Sequence, residues 1–140
     1  MALQLLRLEC IWQQAPHNAF TDLIAYNGAL WCVFREGSDH VSLDGAFRSL
    51  RRIDGDNWQS AALLQDPAAD LRDAKFSISP DGKLLLLGAG ALHDRSALSH
   101  QSYLWQSEDG VNWSAAQAVG EANIWLWRMT WQHQQLFAIG

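Results

Sequence analysis

Ser107-Glu108-Asp109-Gly110-Val111-Asn112-Trp113 has a degraded copy at Arg52-Ile53-Asp54-Gly55-Asp56-Asn57-Trp58, and the two share Asp-Gly-x-Asn-Trp. Each follows a strand-like run, so both read as one hairpin turn used twice. Asp-Gly admits the positive backbone angles of a tight turn, and the Asp carboxylate can accept backbone amides across it. A Trp three residues past the Gly then starts the next strand with its ring buried under the turn.

The two turns lie 55 residues apart, a period suited to a four-stranded propeller blade. Tyr26-Asn27-Gly28-Ala29-Leu30-Trp31 matches Pro80-Asp81-Gly82-Lys83-Leu84-Leu85 at a step of 54. A third copy runs from Trp127-Arg128-Met129-Thr130-Trp131 through Gln132-His133-Gln134-Gln135 into Leu136-Phe137-Ala138-Ile139. The expected fold is therefore all-β, an incomplete β-propeller of about two four-stranded antiparallel blades plus the first hairpin of a third. It forms one domain over residues 1–140, with repeats at roughly 15–66, 70–120 and 123–140. Closed propellers need roughly four to eight blades, so either a truncated relative of a longer protein or an assembly is expected, with self-association through open sheet edges.

The strand reading is Leu3–Trp12 as an added outer strand, Ala19–Tyr26, Leu30–Phe34, Phe47–Ile53, Lys75–Ser79, Leu84–Leu87, Gln101–Gln106, Trp125–Trp131 and Leu136–Ile139. The stretches 37–45, 65–73, 91–100 and 120–123 are polar, hold Gly, Pro or Asp, and read as loops.

A formal net charge of −5 opposes nucleic-acid binding, which needs clustered Lys and Arg; the one dense basic group, Arg48, Arg51 and Arg52, reads as a solvated edge. No run is long enough for a membrane helix, and Leu3–Leu8 lacks a basic leader and cleavage site, so a cytoplasmic chain is expected. Cys10 and Cys32 have neither metal-ligand nor redox spacing and read as two thiols. Eight tryptophans offer either a stacking surface for sugars or, the favoured reading, core packing. His17, His40, His93, His100 and His133 show no zinc spacing, and neither a metal site nor a cofactor is expected. Gly88-Ala89-Gly90 lacks the rest of a nucleotide loop, and no Gly-x-Ser-x-Gly elbow occurs.

The repeated turn resembles the Asp-box, Ser-x-Asp-x-Gly-x-x-Trp, of the sialidase superfamily, in a form one residue shorter. Trp31-Cys32-Val33-Phe34-Arg35-Glu36-Gly37 is similar to that family's strand ending in Glu-Gly ahead of the first box. The resemblance implies an acidic sugar, or another small carboxylate, bound by arginines from separate blades, with a loop Asp as acid or base and a Tyr–Glu pair as nucleophile. Guanidinium forks suit a carboxylate because they bind it bidentately and stay charged. On this plan Arg35, Arg72 and Arg128 are the carboxylate clamp, Asp73 stands beside Arg72, and Asp39 or Asp44 takes the place of the loop acid.

Arg35 near Glu36 and Asp39, and Arg72 near Asp70 and Asp73, read equally as ion pairs that hold loops. The family's opening Arg-Ile-Pro is replaced by Phe20-Thr21-Asp22-Leu23, and no Tyr–Glu pair is evident. Three readings follow: a fragment or relative of a sialidase-like hydrolase, inactive as this isolated chain; a non-catalytic ligand- or carbohydrate-binding module; or a self-associating scaffold.

Overall fold

A computed structural model describes residues 3–55 and 57–140. Asp56, within the first copy of the repeated turn, lies outside the described residues. The described chain is all-β, and none of its antiparallel sheets closes on itself.

The first sheet is a meander of β1 (His17–Tyr26), β2 (Ala29–Gly37), β3 (Ala46–Ile53) and β4 (Gln59–Leu64), paired in chain order. The second repeats that order with β5 (Ala69–Ile78), β6 (Leu84–Leu92), β7 (His100–Ser107) and β8 (Gln117–Val119); β9 (Arg128–Gln132) and β10 (Gln135–Ile139) form a separate hairpin. The β1–β2 turn is set by Asn27 (φ 47°) and Gly28 (φ 72°), both in the left-handed region that a two-residue primed hairpin requires.

Both first strands carry the same irregularity. Register slips between Ala19 and Asp22 in β1 and between Arg72 and Lys75 in β5, with Phe20 at φ 60° and Asp73 at φ 59°. Each is a bulge in which two residues oppose one, which bends the strand and re-aims the side chains before it.

The sheets pack face to face. Trp31, Val33 and Phe47 of the first meet Leu71, Phe76, Leu84, Leu86 and Trp105 of the second in the main core. The far face of sheet one, Cys32, Phe34 and Leu50, is covered by Ile11, Trp12 and Trp58; that of sheet two, Leu85 and Leu87, lies under Met129 and Trp131. Alternate residues of β2 and of β6 thus face two different cores, which is why both strands read as unbroken apolar runs.

Leu3–Trp12 is not a strand. Leu3, Leu5, Leu6 and Leu8 are exposed, Glu9 pairs with Arg52 (3.7 Å), and apolar contact begins at Ile11 and Trp12, which lie across the sheet face rather than along an edge. The adjacent Leu5 and Leu6 break the alternation that a half-buried strand needs. Conversely, residues 69–72, expected as loop, are the first half of β5, and the fourth strand expected in each sheet is β4 in the first and β8 in the second, neither placed by the strand reading. Of the basic group, Arg48 is not a free edge charge: it pairs with Glu36 (2.7 Å) and stacks over the Trp12 ring (5.1 Å).

Candidate functional site

The second copy of the repeated turn has the expected internal hydrogen bonds, but Trp113 does not start the next strand: β8 begins only at Gln117. Asp109 Oδ1 accepts from the amides of Val111 (2.8 Å) and Asn112 (2.7 Å), and Ser107 Oγ accepts from Gly110 N (2.8 Å). The Asn112 amide, then its side chain, holds the Asp109 carboxyl well below the usual range. Trp113 Nε1 donates to Gly110 O (3.1 Å), and its ring stacks on Phe76 at 6.2 Å. Tyr26 Oη donates to Glu108 O (2.7 Å), so this turn fastens one sheet to the other. It sits at the Tyr26 end of the sheets, whereas Arg35, Asp39, Asp44 and Arg72 lie toward the His17–Gly37 end.

At that other end stands a buried cation–carboxylate cluster. Arg35, on β2, is wholly buried. Its Nε donates to Asp70 Oδ1 (2.9 Å), Nη1 to Asp39 O (2.8 Å) and Nη2 to Ser42 Oγ (2.8 Å). Asp70, buried on β5, takes Arg35 on one oxygen and Arg72 Nε on the other (2.7 Å). Arg35 therefore pairs with neither of its sequence neighbours: Glu36 is taken by Arg48. Two guanidiniums around one carboxylate leave a net positive charge under the 38–45 loop. Gly45 is required there, because a Cβ would lie 1.7 Å from Asp70 Oδ1.

The outer edge of Arg72, about a fifth exposed, opens onto a cleft of about 280 Å³ with Val41, Leu43, Leu92, His93 and Arg95 in its walls. Arg95 is oriented by its Nε bond to Leu92 O (3.3 Å). Ser42 and the Asp70 carboxylate, which Arg35 and Arg72 neutralise, also line the cleft, so it combines apolar walls with the guanidiniums of Arg72 and Arg95, a combination that suits an anion with a nonpolar body.

The three sequence-selected arginines do not share one ligand position. Arg35 and Arg72 share Asp70, while Arg128, on β9, bonds Asp22 Oδ1 (3.1 Å) with its side chain more than half exposed. Asp22 Oδ2 also accepts from Phe76 N (2.8 Å), so this carboxylate ties β1 to β5 and β9. Asp73 occupies the β5 bulge. Asp39 caps the His40 amide (2.6 Å), and its carbonyl serves Arg35.

Asp44 is held at about 2 by the hydroxyl of Ser42 and the amide and hydroxyl of Ser38. A general acid needs the opposite shift. Because the folded-state value lies below the ordinary 3.8, the loop contact is present in full above that value and is lost as pH falls through about 2. Carboxyl NMR titration of Asp44 should place its midpoint near 2, and Ser42→Ala or Ser38→Ala should move it upward. Burial, then the nearby Asp22 charge, pushes the Cys32 thiol up to about 11, which makes it a poor nucleophile.

The cleft residues His93 and Arg95 were not singled out in the sequence as ligand groups. Their loop reads only as polar, and its placement beside Arg72 comes from the β5–β6 pairing of Asp70 with Ala91. Most tryptophans are packed in or against the cores, as favoured from the sequence; Trp127 is 55% exposed.

No family model matches the chain, and no curated protein matches it. Among solved structures it is similar to the crystal structure of a protein of unknown function from Dyadobacter fermentans, with 22% identity and a TM-score of 0.59. The match covers 72% of this chain and 36% of that one, so the chain spans about a third of the neighbour's length. A likeness at this identity speaks to the fold alone.

Proposed function

We propose that the two meanders are successive blades of a β-propeller with β9–β10 opening a third, that the chain is related to the sialidase superfamily, and that these residues act as a non-catalytic ligand-binding module. Its ligand is a small carboxylate of the acidic-sugar type, held at Arg72 and Arg95. The propeller reading is supported by recurring equivalents: the Phe20 and Asp73 bulges, the Gly28 and Gly82 turns, and Trp58 and Trp113 on corresponding sheet faces. The family reading rests on the turn chemistry around Asp109 and on β2 ending in Glu36-Gly37.

The observation that carries the binding reading is the division of labour around Asp70. Arg35 spends its hydrogen-bonding edges on protein and is a support; Arg72 is braced by the same carboxylate and keeps an edge at the cleft. Hydrolysis would need an acid that keeps its proton near neutrality, and Asp44 is held at about 2. The arrangement favours binding over turnover.

Calorimetry with N-acetylneuraminic acid and with simple aromatic carboxylates is the test. Saturable binding should weaken about tenfold or more in Arg95→Ala and Arg72→Ala, the scale of a lost charge-assisted hydrogen bond. Arg95 is exposed, so its variant should fold. Release of a chromophore from an aryl sialoside should stay at background. Absence of binding from the folded chain would overturn the module reading in favour of a scaffold.

A further inference from the structure

We propose that His17 and His40 form a two-histidine chelate for a late first-row divalent cation: Zn²⁺, Ni²⁺ or Cu²⁺. The site is separate from the arginine cleft and does not depend on the reading above. His17 opens β1 opposite Gly37, the last residue of β2, and His40 follows three residues later in the loop. Antiparallel pairing thus brings together two imidazoles 23 residues apart.

Two geometric facts point to a shared ion. His40 Nδ1 lies 3.4 Å from His17 Nε2. Two nitrogens each about 2.0–2.1 Å from a tetrahedral centre lie about 3.3–3.4 Å apart. The ring centroids are 5.2 Å apart. With about 1.15 Å from centroid to nitrogen, rings aimed at one tetrahedral ion have centroids about 5.2 Å apart. A straight N–H···N bond of the observed length would put them about 5.7 Å apart. Without a metal the two nitrogens are within hydrogen-bonding distance of each other, and their spacing is that of two ligands on one tetrahedral ion.

The surroundings hold this pose without a metal. Arg35 Nη1 fixes the carbonyl of Asp39 (2.8 Å), and Asp39 Oδ1 caps the His40 amide (2.6 Å). The Phe20 ring, projected by a bulge at φ 60°, packs on His40 at 5.6 Å. A bulky residue in that backbone region carries strain, which the surrounding structure must offset. Among the described residues no third His, Cys, Asp or Glu completes a cluster. The ion would therefore keep open positions for water or an external donor; imidazole-only ligation favours Zn²⁺, Ni²⁺ and Cu²⁺ over Mg²⁺ and Ca²⁺, and the tetrahedral spacing suits Zn²⁺ as it stands, whereas Cu²⁺ and Ni²⁺, which prefer nitrogens at right angles, would draw the two rings closer.

The test is titration of the full chain, without any histidine tag, with Zn²⁺, Ni²⁺ and Cu²⁺ by calorimetry, and paramagnetic resonance of the Cu²⁺ form. One ion per chain is expected, with two-nitrogen hyperfine structure and at least about a tenfold loss of affinity in His17→Ala and in His40→Ala. His133→Ala should bind as the parent does. Absence of stoichiometric binding, or binding that survives both His17→Ala and His40→Ala, would overturn the proposal. His40 is exposed, so its variant keeps the fold and the result can be read.

Discussion

Arg35→Ala should cost about 3–5 kcal/mol of folding stability, the range seen when one partner of a buried ion pair is removed. The loss does not lie mainly in the Arg35–Asp70 attraction. Asp70 is only 2% exposed, and without Arg35 its Oδ1 faces no cation, Ser42 loses a donor and the Asp39 carbonyl loses another. Urea unfolding should show the midpoint falling while the dependence on denaturant is unchanged. Replacing both partners by apolar residues, Arg35→Met with Asp70→Leu, should recover part of the loss, because no buried charge is then stranded beyond Arg72. A cost below about 1 kcal/mol for Arg35→Ala would show that water enters beneath the 38–45 loop and solvates Asp70. It would also remove the fixed base on which Arg72 is braced.

What was legible in the sequence was local. Asp-Gly-x-Asn-Trp and Asn27-Gly28 dictate backbone angles within four or five residues, so the turns, their repeat and the strands between them emerged directly. The first half of β5 did not. Asp70 pairs across sheets with Arg35 and along its own strand with Arg72, and the bulge at Asp73 breaks the alternation that would otherwise mark a strand. Leu3–Trp12 fails the other way: its apolar residues suggest a strand, but strands exist only where an edge accepts them. The same limit applies to the site. Arg35 and Arg72 are recognisable as unusual, yet the fact that decides their roles is a shared carboxylate 35 positions from Arg35. His17 and His40 are brought together only by hairpin register.

Trp31→Ala should be the other severe substitution, at about 3–5 kcal/mol, the usual range for truncating a large buried aromatic side chain. Trp31 is 1% exposed; its Nε1 donates to Tyr26 O (3.0 Å) and its ring lies against the turn of the second repeat. That contact also makes Gly110 irreplaceable. Its φ is +76°, and a Cβ there would lie 2.4 Å from the Trp31 ring. Gly110→Ala therefore combines left-handed strain of about 1–2 kcal/mol with a steric clash. The two substitutions should not add. In a Trp31→Ala background the ring is gone and Gly110→Ala should retain only the backbone strain, so a double-mutant cycle by thermal or urea unfolding should give a coupling of about 1–3 kcal/mol. Additive costs would mean that Trp31 and the Gly110 turn do not touch in solution. The contact matters beyond its energy, because Trp31 belongs to sheet one and Gly110 to the turn after β7: the feature that most clearly repeats in the sequence is also a point where one repeat is locked to the next.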